Sequence, residues 1–75
     1  MARIEVKSEM AGTILEVLVG AGDLVTTGQE VLIVESMKME VPVESPCDGR
    51  VAELAIAESA VIAEGDLLLV IESGG

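Results

Sequence analysis

The sequence contains no phenylalanine, tyrosine, tryptophan or histidine. Its core must therefore be assembled from Val, Ile, Leu, Ala and Met. Without imidazole it lacks the commonest acid/base group at neutral pH and a favoured zinc ligand, which weighs against an enzyme and against a metal centre. Basic residues are scarce too: four Lys and Arg stand against 14 Asp and Glu, a formal net charge of −10. Such a surface repels phosphate backbones and anionic membranes, so neither nucleic acid nor a membrane is an expected partner. Cys47 is the single cysteine, which excludes an intramolecular disulfide. The start, MARIEVKSEM, lacks a basic segment followed by an apolar signal core. A cytoplasmic location is the expectation. The longest uninterrupted apolar run, Leu67 to Ile71, falls far short of the roughly 18 residues of a membrane span. The length suits one domain with a modest core, and no linker or low-complexity tract divides it, so 1–75 is read as a single unit.

What the chain does have is an internal repeat. Shifted by 37 positions, Arg3 to Ser36 pairs with Glu40 to Ser73 without a gap. Val6/Val43, Ser8/Ser45, Gly12/Gly49, Glu16/Glu53, Gly28/Gly65, Leu32/Leu69, Glu35/Glu72 and Ser36/Ser73 are identical, and Ile14/Val51, Val25/Ile62, Val31/Leu68 and Ile33/Val70 keep apolar character. Met37, Lys38 and Met39 fall outside both copies, on the joint between them.

Each copy reads as strands. RIEV alternates, GTILEVLV and GRVAELAI are apolar stretches opened by glycine, and EVLIVES and DLLLVIES are short runs bounded by turn residues. Helical spacing is not sustained anywhere. Pro42 cannot donate to a ladder and so belongs on an edge or at a strand end. The expectation is an all-β fold: a flattened barrel or sandwich of two four-stranded antiparallel sheets with quasi-two-fold symmetry. The termini should share one sheet, with the Met37–Met39 hairpin on the other. Val31, Ile33, Leu68 and Val70 should be buried as matched pairs. Where the first copy has Gly22-Asp23 the second has Ser59-Ala60, which predicts a turn of different conformation.

Most candidate sites reduce to structure. Gly20-Ala21-Gly22 starts like a dinucleotide fingerprint, but Val25 holds the third glycine position and no helix pattern follows. The many carboxylates read as solvated sheet faces rather than a desolvated catalytic pair. Cys47, between Pro46 and Asp48, lacks the positive neighbours that activate a thiol. Met37 and Met39 could fill a core or offer a soft recognition surface, and a hairpin tip has little core to fill. Lys38, one of two lysines, would by itself be an ordinary exposed lysine.

The surroundings of Lys38 change that reading. Glu35-Ser36-Met37-Lys38-Met39 resembles the attachment motif of the biotinyl/lipoyl domain family, biotin carboxyl carrier type, and SPCDGRV resembles its downstream Pro-x-x-Gly-x-Val element at Pro46, Gly49 and Val51. Ser36 stands where alanine is commoner, a small-for-small change. The resemblance spans the whole chain, because the family's hammerhead fold is the same pair of quasi-symmetric sheets. It implies a non-catalytic carrier with covalent biotin on Lys38, recognised through Met37 and Met39 on a hairpin formed with Glu35, Ser36 and Glu40. The implied partners are a biotin protein ligase, a biotin carboxylase and a carboxyltransferase. The implied setting is an acetyl-CoA carboxylase-like system of fatty acid biosynthesis, with the domain itself a monomer. Lipoyl carriers share the scaffold, though their lysine usually sits in an Asp-Lys-Ala context. A binding module with no prosthetic group would need another surface, and no aromatic or basic patch supplies one.

Overall fold

Short apolar runs separated by polar, glycine-bearing turns give eight strands in the computed structural model, which describes residues 2–74. They are β1 (Ala2–Lys7), β2 (Gly12–Val17), β3 (Leu24–Val25), β4 (Glu30–Ser36), β5 (Met39–Glu44), β6 (Gly49–Leu54), β7 (Val61–Ile62) and β8 (Leu67–Ser73). No helix occurs among the described residues. Two four-stranded sheets form, ordered β1-β8-β6-β3 and β5-β4-β2-β7, with every neighbouring pair antiparallel. The first and last strands are neighbours in one sheet, and β4 and β5 form the hairpin of the other. Pro42 lies on β5, an edge strand, where a missing N–H does least harm.

The sheets enclose one apolar cluster that includes Val6, Ile14, Val31, Leu32, Val34, Val51, Leu68, Leu69 and Ile71. Each such side chain contributes about 1.5–3 kcal/mol by leaving water. Of the four matched core positions, Val31, Leu68 and Val70 are buried, but Ile33 is only half-buried. Their cross-strand neighbours differ. Val70 sits opposite Glu5 and Glu53, whose carboxylates pair with Lys7 and Arg3 at 3.5 Å. Ile33 sits opposite Glu16 and the short, ring-closed Pro42.

The two-fold relation extends to the backbone. Ser8 N–H donates to the Asp66 carbonyl and Ser45 N–H to that of Gln29, the same bond with the halves exchanged. The strand-to-loop contacts at the two β2-type strands behave likewise: Gly22 N–H donates to Val51 C=O at 2.7 Å, and Ser59 N–H to Ile14 C=O at 2.8 Å. This corrects the expectation that the Ser59-Ala60 turn differs from Gly22-Asp23. Ser59 takes φ +73°, in the left-handed region that Gly22 occupies at +95°. Ladder bonds on both sides of the turn fix the shape, and a serine is forced into it at a cost of about 1–2 kcal/mol.

Close backbone approach explains another matched pair. A Cβ on Gly12 would lie 2.5 Å from the Glu35 carbonyl oxygen, and one on Gly49 would press on the carbonyl of Glu72. Only glycine lets β2 and β6 approach their neighbours this closely.

Candidate functional site

The joint between the repeats is a two-residue hairpin loop. Ser36 at the end of β4 pairs with Met39 at the start of β5, leaving Met37 and Lys38 as the turn. Both have positive φ, +53° and +64°, the signature of the type I′ turn that suits the twist of paired strands. Asn-Gly is the usual occupant, and two side chains with Cβ atoms are disfavoured there. The turn persists because β4 is anchored below it by buried Val31, Leu32 and Val34, and a register slip would expose them.

The geometry presents the side chains outward. Met37 is 92% exposed and Met39 65%, so neither fills the core. Lys38 is exposed at the tip, and among the described residues no carboxylate lies within ion-pair distance of its Nζ. Glu35 and Glu40 face each other directly across the two strands, and both are exposed. Ser36, half-buried, donates its hydroxyl to the Ala11 carbonyl at 3.0 Å and so ties the hairpin base to the loop preceding β2. All six residues singled out in the sequence, Glu35 to Glu40, are thus brought together on one hairpin.

Three further residues border the hairpin that no local motif marks. A shallow concavity beside Met37 and Lys38 is walled by Gly12 and Thr13 of β2 and by Val61 of β7. Val61 is 23 positions from Lys38 in sequence, and only the β2–β7 pairing brings it alongside. A second concavity of about 440 Å³ runs between edge strands β1 and β5, lined by residues such as Val6, Met10, Val41 and Pro42; it does not include Lys38. Cys47 is a half-buried free thiol packed against the core. One ionisable group is clearly perturbed: the Thr27 backbone N–H (2.7 Å) and hydroxyl (3.0 Å) both donate to Asp48, holding its carboxyl below the ordinary value.

Chemically, the site offers an exposed primary amine on a projecting turn, with no ion-pair partner for it among the described residues. A solvent-exposed amine of this kind is chemically able to accept an acyl group once it is deprotonated.

Comparison with known proteins agrees. The family model described as "Biotin-requiring enzyme" matches residues 3–71. A biotin/lipoyl attachment protein of Bacillus subtilis (strain 168) is 47% identical over 64 residues, covering 85% of this chain and 88% of that protein. A biotinylated protein TB7.3 homolog of Mycobacterium leprae is 39% identical over 67 residues, covering 89% and 94%. Among solved structures, the urea carboxylase of Kluyveromyces lactis superposes with a TM-score of 0.89 at 29% identity; the match covers 96% of this chain but 6% of that one. With the fold, the repeat and the projecting lysine all in place, the chain belongs to the biotin/lipoyl attachment family, whose members carry a covalently attached group and are not themselves catalytic.

Proposed function

We propose that the protein is a biotin carboxyl carrier, with biotin joined through its carboxyl group to Nζ of Lys38. The observation that carries this reading is the exposed Met37-Lys38-Met39 tip. Methionine on both sides of the lysine favours biotin over lipoate, and a related protein of similar length is described as biotinylated. The site fits the group: the amine is free of ion pairs among the described residues and nothing packs over it.

An alkylammonium in water is neutral in only about one molecule in 2,500 at pH 7, so the modifying enzyme, a biotin protein ligase, must desolvate and deprotonate the amine. Lys38 is therefore a substrate. The turn holds it at a fixed orientation, which limits the entropy lost on docking. Met37 and Met39 offer polarisable, apolar contact on either side. Once attached, biotin supplies a ring that accepts carboxylate at a biotin carboxylase and yields it at a carboxyltransferase acting on an acyl-CoA or keto acid. Tethering by a short arm raises the local concentration at both active sites. Within the same proposal, the carrier is a monomeric cytoplasmic domain of an acetyl-CoA carboxylase-like system.

The test is the intact mass of the protein purified from its own host, followed by fragmentation. One biotinyl group on Lys38 is the expected result; a lipoyl group or an unmodified lysine overturns it. With ligase, biotin and ATP, Lys38→Arg should gain no mass, because guanidinium stays protonated. Lys7→Arg should be labelled like the parent.

A further inference from the structure

The register across the Lys38-bearing sheet lines up four residues in one row. Val61 pairs with Thr13, Thr13 with Glu35, and Glu35 with Glu40. Directly opposed residues share a face, and this row lies on the outside, since the next row inward, Ile14–Val34, is buried. The row includes the second strand pair below the Met37-Lys38 turn and crosses four strands, about 14 Å at roughly 4.8 Å per strand.

The repeat supplies an internal control. Its symmetry mate in the other sheet is the row Leu24–Arg50–Glu72–Arg3. There the glutamate is flanked by two arginines. Beside Lys38 the corresponding positions hold Thr13, Glu35 and Glu40, so two carboxylates face each other on adjacent strands, with no cation of the described residues within ion-pair distance. Opposed like charges destabilise a sheet. One row carries two arginines and one glutamate, and the row beside Lys38 carries two glutamates and no basic residue. At the end of the row Val61 is 83% exposed, contiguous with Met37 along the shallow concavity.

We propose that the enzyme that modifies Lys38 docks on this whole row, setting a cationic group against Glu40 beside Glu35 and an apolar surface against Val61. Its footprint then reaches β7, far outside the Met-Lys-Met hairpin. The occupant follows from geometry and charge. An active site that encloses Nζ must descend over the first two strand pairs below the turn, and an opposed carboxylate pair favours a basic approach surface. This inference rests on Lys38 being acylated by a biotin protein ligase.

The experiment measures initial labelling rates with purified ligase, biotin and ATP for the parent, Val61→Ser, Leu24→Ser and Glu40→Gln, with melting temperature read alongside. Leu24 is the symmetry mate of Val61, 71% exposed on an equally short strand, and reports any cost of the serine itself. Val61→Ser should lower kcat/KM about fivefold or more, through KM, while Leu24→Ser stays within about twofold and both melt alike. Glu40→Gln should flatten the fall of kcat/KM with added sodium chloride. If Val61→Ser destabilises more than its mate, Val61→Thr, which keeps the branched shape, should still raise KM. Equal rates for the Val61 and Leu24 variants, or an unchanged salt slope in Glu40→Gln, overturn this footprint while leaving the carrier reading intact. A parent that is never labelled on Lys38 overturns both.

Discussion

The two sheets, each built from strands of both copies, share a backbone plan and differ in what they attach to it. Their turn and ladder hydrogen bonds exchange one for one under the 37-residue shift, down to a serine forced into a glycine conformation. Their outer surfaces do not match. One sheet closes its end row with Arg3, Glu72 and Arg50; the other leaves Glu35 and Glu40 opposed beside an exposed turn. Backbone symmetry is held by bonds that any side chain can accompany, whereas surface residues are free to diverge toward a task. The glycines and core positions that the fold needs recur in both copies, whereas Met37, Lys38 and Met39 lie on the joint between them and have no counterpart.

The largest expected effect tests the shared part. Gly12→Ala and Gly49→Ala each place a methyl group against a neighbouring carbonyl, and each should cost about 1–3 kcal/mol in urea unfolding. Near-equal losses would uphold the two-fold; a loss in one half only would break it. Next come the left-handed turns. Gly22→Ser should destabilise by about 1 kcal/mol, while Ser59→Gly or Ser59→Asn should be neutral to stabilising by up to about 1 kcal/mol, read as melting-temperature shifts of opposite sign. If both substitutions destabilise, Ser59 is held by something other than its backbone.

Glu40→Gln removes half of an opposed like-charge pair, and should stabilise by a few tenths of a kcal/mol at low ionic strength, an effect that fades in salt. A gain in stability with a loss in labelling separates this position from an ordinary structural one. The smallest effect concerns Asp48, which has alanine, Ala11, at the equivalent place. Its folded pKa lies below the unfolded value, so the stability it contributes is present above the ordinary aspartate range and lost as pH falls through the folded pKa. Asp48→Asn should therefore lower stability slightly at pH 7 and lessen the decline below about pH 4, measured by urea midpoints across pH.

The sequence by itself determined the all-β class, the repeat, the placement of Pro42 on an edge or at a strand end, and the Met-Lys-Met hairpin at the joint. These are properties of local period, of self-similarity and of a contiguous hairpin, and all six motif residues lie within one turn and its two strand ends. The type I′ conformation at Met37-Lys38 and the glycine-like φ of Ser59 were not legible, because intrinsic preference opposes both and only the ladders around them overrule it. Ile33 and Val70 are unequally buried although the repeat matches them, and they face different cross-strand neighbours, which no residue's own hydrophobicity records. Val61 shows the division most directly. In the sequence it is a valine 23 residues from the lysine; antiparallel pairing of β7 with β2, and of β2 with β4, carries it to the rim of the hairpin, since strand register sets which distant side chains share a face.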